Sequence, residues 1–199
     1  MNKIITIGRE FGSGGREFGR RLSEKLGFAY YDQEIISEIS RRTSLSEQYV
    51  RATVERRPSF SFPIHMGRSF YPSLNPAFEQ TMTVYQEQAR IITEMAAKSD
   101  CVIVGRCADY ILRAYKPFRI FVYADMESKI KRCREKGPEE EKLTDKELRQ
   151  KISGIDKKRA KYYEFYTGNP WGDKLNFDLC VNTTQMVIKE MVFVIAKLF

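Results

Sequence analysis

The chain begins with a run in which apolar positions do not alternate with polar ones. Ile4, Ile5, Thr6 and Ile7 are all β-branched, and Gly8 ends the run. A strand covered on both faces has this pattern, because neither side of its sheet meets water. The period then changes. Phe18, Leu22 and Leu26 share one helical face, which predicts a helix over 14–26 stopped by Gly27. A short strand is predicted over 28–31, then helices over 33–42 and 45–57. The first of these turns Ile35, Ile36 and Ile39 inward.

Residues 58–76 break the pattern with prolines, serines and aromatics, as functional loops often do. A long helix follows over 77–98, a second buried strand over 101–104 ended by Gly105, and a short helix over 108–114. Residues 118–123 form the next strand candidate and 126–136 the helix after it. Gly137-Pro138 and the acidic run 139–141 interrupt. Thr144 and Glu147 then make a capping box that opens a helix reaching about residue 166. A last strand is expected over 177–181, with a C-terminal helix starting at Thr183 or Thr184. Strands alternating with helices predict a parallel sheet covered on both sides, in one domain over 1–199 without repeats.

Charge narrows the choice of partners. Lys and Arg total 34 against 26 Asp and Glu, a net charge of +8 that favours phosphates, nucleotides or nucleic acid. The single histidine, His65, and four cysteines without a C-x-x-C pair exclude a zinc site or a Ser-His-Asp triad. Free thiols predict a cytoplasmic protein. No signal peptide is expected, and the apolar run 191–196 is too short to span a membrane.

The candidate chemistry lies between the first strand and the first helix, in Gly8-Arg9-Glu10-Phe11-Gly12-Ser13-Gly14-Gly15-Arg16-Glu17. Glycines at a strand-to-helix turn let backbone N–H groups face an anion, and the helix dipole adds positive potential. A dinucleotide fingerprint fails because Glu17 stands where its last glycine belongs. The Walker A pattern G-x-x-x-x-G-K-[ST] is not met either. Ungapped counting puts Arg9 at its first glycine, Gly14 at its second, Gly15 at its lysine and Arg16 at its hydroxyl. Phosphate-binding candidates are Gly12, Ser13, Gly14, Gly15, Arg16 and Glu17. Arg16 supplies the missing charge, and Ser13 or Glu17 are the candidates for a magnesium ligand.

With residues 7–19, 28–34, 102–112 and 156–173 taken together, the chain resembles the cytidylate kinase-like family of P-loop nucleoside monophosphate kinases. It is most similar to the divergent branch with a Gly-Ser-Gly-Gly-Arg-Glu loop. The resemblance implies an α/β, P-loop kinase-like three-layer fold with a five-stranded parallel sheet. It implies a nucleoside-monophosphate-binding helical region over about 32–98 and an arginine-bearing lid over about 132–172. It also implies ATP and Mg²⁺ as cofactors, and transfer of phosphate from ATP to CMP or dCMP.

Other candidates follow. Arg106, after the strand 101–104, is placed to grip the acceptor phosphate, since ligands of parallel sheets bind beyond the strands' carboxyl ends. Asp109 is a candidate to orient Arg106 or touch substrate. Asp32 stands where the monophosphate-binding helices of cytidylate kinases begin, with a helix cap as its alternative role. Arg132, Arg134 and Arg159 are the lid candidates, and Asp156 can pair with Arg159 on one helix face. Tyr162, Tyr163, Phe165, Tyr166 and Trp171 form an aromatic group suited to core packing beneath the lid or to stacking a base. A monophosphate acceptor, with a second pKa near ~6, needs no general base. The competing expectations are a regulatory nucleotide-binding protein and a kinase with another small acceptor. A nucleic-acid-binding module has the charge but no motif.

Overall fold

A computed structural model of the chain describes residues 2–54, 76–136 and 143–199. The first strand forms as β1 (Ile4–Arg9) and runs through Gly8 to Arg9. The helix α1 (Gly15–Leu26) follows and stops at Gly27, whose left-handed conformation caps it. Next come β2 (Ala29–Tyr31), α2 (Glu34–Thr43) and α3 (Glu47–Thr53). The long helix α4 (Pro76–Lys98) leads into β3 (Cys101–Val104), and α5 (Ala108–Ile111) into β4 (Phe118–Tyr123). The helices α6 (Met126–Lys136) and α7 (Asp145–Thr167) precede β5 (Leu179–Asn182) and α8 (Ile188–Ile195). Of the proline-rich stretch, residues 58–75, His65 included, lie outside the described residues. So do Gly137, Pro138 and the acidic run 139–141.

The five strands form one sheet in the order β2-β3-β1-β4-β5, and every neighbouring pair is parallel. Both faces are buried, as the unalternating apolar runs require. On one side Ile4, Cys101 and Ile103 pack under α2 and α4, against Ile35, Ile39, Ile91 and Ile92. On the other, Ile5, Ile7, Val102 and Ile120 meet Phe18 and Leu22 of α1 and Val192 of α8. No helix among the described residues is long and apolar enough to cross a membrane.

Two helix boundaries differ from the sequence pattern. The last helix opens at Ile188, not at Thr183 or Thr184. Thr183 is fully buried, and its hydroxyl donates to the Ser13 carbonyl at 2.7 Å and the Tyr123 carbonyl at 3.1 Å. A threonine used as a tertiary tie cannot also cap a helix. The helix expected over 45–57 forms as Glu47–Thr53, flanked by the caps Ser46 and Val54, and residues 55–57 lie outside the described residues.

This topology positions the site. β1 lies at the centre, so its C-terminal loop emerges between the ends of β3 and β4. That is the crevice where open parallel sheets bind ligands.

Candidate functional site

The loop after β1 ends at Gly14, which precedes α1 in a left-handed conformation and offers no capping side chain. The opening N–H groups of α1 have no intrahelical acceptors and carry the positive end of its dipole. They face a cleft of about 770 Å³ whose walls include Gly12, Gly14, Gly15, Arg16, Glu17 and Arg132. The glycine-rich segment thus forms the strand–loop–helix expected of it.

Arg9 lies against the position of the missing lysine. Gly15, which stands at that position in the count, has its Cα against the Arg9 stem, and a Cβ there would overlap Arg9 Cβ. The guanidinium runs on to Gly105, after β3, where a side chain would overlap Arg9 Nη1. The parallel pairing of β1 and β3 makes this contact, with the Gly105 N–H donating to the Ile7 carbonyl at 2.9 Å. Arg9 is 8% exposed, and its Nε has no hydrogen-bond partner among the described residues. Burial, followed by the positive charge of Arg159, pushes its pKa down to about 9. A desolvated cation beside other cations is costly, and the nearby charge of Asp32 offsets only part of that cost. Arg9 was missed as a site residue. Its sequence signal was only a basic residue at the strand's last position.

Arg16 lines the cleft and also pairs with an acid. Its Nε lies 2.8 Å from Asp32 Oδ2, with the Asp32 side chain 5% exposed and that of Arg16 54% exposed. Asp32 is not the cap of α2, a position that Gln33 takes. Its Oδ1 has no partner among the described residues.

The magnesium candidates do not fit a cation. Ser13 is fully buried and its hydroxyl donates to the Glu10 carbonyl at 2.8 Å. Glu17 is held by Arg21 at 2.8 Å and by Lys136. The described residues contain no cluster of potential metal ligands.

A second, narrower cavity of about 40 Å³ adjoins the cleft, and Arg9 and Arg159 line both. Its other walls include Arg106, Asp109, Tyr163 and Trp171. Gly105, Arg106 and Cys107 all have positive φ, at 75°, 60° and 54°. Such a run is costly for residues other than glycine and is found where surroundings impose it. Here Gln88 Nε2 donates to the Arg106 carbonyl at 3.1 Å and also to Tyr162 Oη at 3.1 Å. Asp109 accepts a hydrogen bond from Tyr163 Oη at 2.6 Å, and burial pushes its carboxyl above the ordinary range. The aromatic group divides its roles. Tyr166 stacks on Tyr85 and Trp171 meets Phe121 edge-on, while Tyr162, Tyr163 and Trp171 also face the cavity.

The three lid arginines separate. Arg159 reaches the site from α7, with its Nη1 3.4 Å from the Arg9 carbonyl. Arg132 lines the cleft and donates to the Thr183 carbonyl. Arg134 binds Asp145 and the Leu143 carbonyl and is not among the residues lining either cavity. Asp156 is 4.0 Å from Arg159 and is more closely engaged by Lys129 Nζ, at 3.1 Å. Lys129 also meets Glu10 at 2.6 Å, and Asp156 accepts from the Phe11 N–H at 2.7 Å. This triad, centred on the buried Lys129, ties the loop to α6 and α7.

Among solved structures, an uncharacterized protein from Eubacterium ventriosum ATCC 27560 is 25% identical with a TM-score of 0.71, the match covering 99% of this chain and 98% of that one. Shikimate kinase from Bacteroides thetaiotaomicron is 15% identical with a TM-score of 0.58, over 98% of this chain and 97% of that one. Shikimate kinase from Acinetobacter baumannii, in complex with shikimate, is 16% identical with a TM-score of 0.55, over 100% and 92%. These likenesses show a P-loop kinase fold. No curated protein sequence matches the chain. The pattern of the cytidylate kinase-like family runs through residues 4–185, from β1 past both cavities to the turn after β5, and the chain belongs to that family.

Proposed function

We propose that the protein is an ATP-dependent phosphotransferase whose acceptor is a nucleoside monophosphate, with CMP and dCMP the first candidates. The observation that carries this reading is the shared wall of the two cavities, built from Arg9 and Arg159. A donor phosphate chain bound along the open N–H groups of α1 and an acceptor phosphate gripped by Arg106 would meet at that wall. Phosphoryl transfer asks chiefly for such positioning and charge.

The residues divide the work as follows. The backbone of Gly12, Gly14 and Gly15 and the Arg9 guanidinium hold the donor phosphates. Arg106 holds the acceptor, with Asp109 and Tyr163 beside it. Arg159 spans the transferring group, and Arg132 steadies the cleft. The second cavity is too narrow for a nucleotide as it stands, so the acceptor enters by movement of the described elements around it, such as α7. Closure then keeps water from the donor.

A small alcohol as acceptor is the second reading, favoured by the unpartnered Asp32 Oδ1. An alcohol needs a base, and Asp32, although buried and paired with Arg16, keeps one carboxylate oxygen without a partner among the described residues. The test is ADP release by the purified chain from ATP, with Mg²⁺ and in EDTA, against a panel of nucleoside monophosphates and small alcohols. Turnover with CMP or dCMP is the expected result. Turnover with an alcohol alone selects the second reading, and ATP binding without turnover on any acceptor overturns both in favour of a regulatory nucleotide-binding protein.

A further inference from the structure

We propose that the Arg16–Asp32 pair replaces the protein's share of a divalent-cation site, so that the loop binds nucleotide phosphates through fixed guanidinium charge without needing Mg²⁺. This rests on the nucleotide-binding reading above. In a P-loop the cation is held by a hydroxyl in the first turn of the helix and a carboxylate nearby. Arg16 occupies the hydroxyl's place in the count. It does not leave the carboxylate free, because its Nε sits 2.8 Å from Asp32 Oδ2.

The remaining donors are already engaged. The Ser13 hydroxyl is turned into the loop, and Glu17 is shared between Arg21 and Lys136. Of these candidate donors among the described residues, what is left is the buried Asp32 Oδ1, and Mg²⁺ binds by one or two carboxylates only in octahedral geometry with phosphates and waters. The local field opposes a cation as well. Arg9, Arg16, Arg106 and Arg159 gather on this side of the sheet, and the charges of Asp32, Arg16, Arg106 and Arg159 all act on buried Arg9. A polyphosphate enters the same field favourably. The exposed part of Arg16 offers it a planar fork of donors, and Arg9 offers a charge that lacks a partner at Nε.

Calorimetric titration of the full chain with ATP, once with Mg²⁺ and once in EDTA, tests this. Dissociation constants within about threefold of each other are expected. ATP binding more than about tenfold tighter with Mg²⁺ overturns the proposal. Arg16→Ser returns a hydroxyl to the first turn and frees Asp32. It is expected to weaken ATP binding in EDTA by about tenfold or more and to make Mg²⁺ recover part of the loss. Arg16→Ser binding ATP in EDTA as tightly as the wild type overturns the proposal, with thermal unfolding of the variant as the check on folding. Failure to bind ATP in either buffer overturns the nucleotide reading itself, and this inference with it.

Discussion

Arg9 shows how a single side chain can be stable only in company. At neutral pH its guanidinium is charged in both folded and unfolded chains, so folding bears the full cost of desolvating it. Its pKa falls from the ordinary guanidinium range to about 9 on folding, so the folded chain releases this proton first as pH rises. The cost therefore shrinks above about pH 9 and persists below it. Arg9→Met, which keeps the stem and removes the charge, should stabilise the ligand-free chain at pH 7 by about 1–3 kcal/mol. The gain over wild type should narrow above pH 9, and pyrophosphate binding should be lost. Chemical unfolding at pH 7 and pH 10, with a pyrophosphate titration, checks all of this. A destabilised variant would mean that Arg9 is already neutralised. The role of Arg9 was not legible in the sequence because it depends on pairing between β1 and β3. Nothing local announces that residue 9 will lie against Gly105. Arg16 was legible as a charge in the loop but not as the partner of Asp32, for the same reason.

At the scale of elements, the central strands β1 and β3 were readable because their apolar runs are buried on both faces, although β1 runs past Gly8 to Arg9. Met126–Lys136 is predicted and found with the same bounds, and the capping box of Thr144 and Glu147 forms as written. The start of α8 was not readable, because the threonines before it serve tertiary contacts. The triad of Glu10, Lys129 and Asp156 was also hidden, being spread over the loop, α6 and α7. Lys129 has a 7% exposed side chain between two carboxylates. Lys129→Met leaves both acids partly buried without the ammonium that joins them, and should destabilise the chain by about 3 kcal/mol in urea unfolding. Adding Glu10→Gln and Asp156→Asn should recover part of that loss. If the triple variant is no more stable than Lys129→Met, the triad acts through packing and not through charge.

For the whole molecule, the net charge of +8 is less informative than its placement. Surface arginines such as Arg41, Arg42 and Arg90 are paired with Glu38, Glu87 and Glu94, and do little to select a ligand. Among the arginines that line the cavities, Arg9 is buried with its Nε lacking a partner among the described residues, which gives it capacity for an anion. Pyrophosphate at about 100 times its Kd should therefore add about 2.7 kcal/mol to stability. Thermal scans should show a rise in Tm that chloride at equal ionic strength does not reproduce, and that Arg9→Met abolishes. An equal rise with both salts would reduce the effect to general screening.

The contact between Gly15 and the Arg9 stem also constrains how this loop can change. A lysine placed at 15 alone, which would restore the usual pattern, meets the space that Arg9 already fills. Shortening Arg9 alone removes the buried charge before any lysine replaces it. Each single step passes through a variant with a damaged loop, and only the paired exchange carries a cation throughout. The two loop chemistries are separated by a mutational valley, which makes the arginine version self-preserving once it is established.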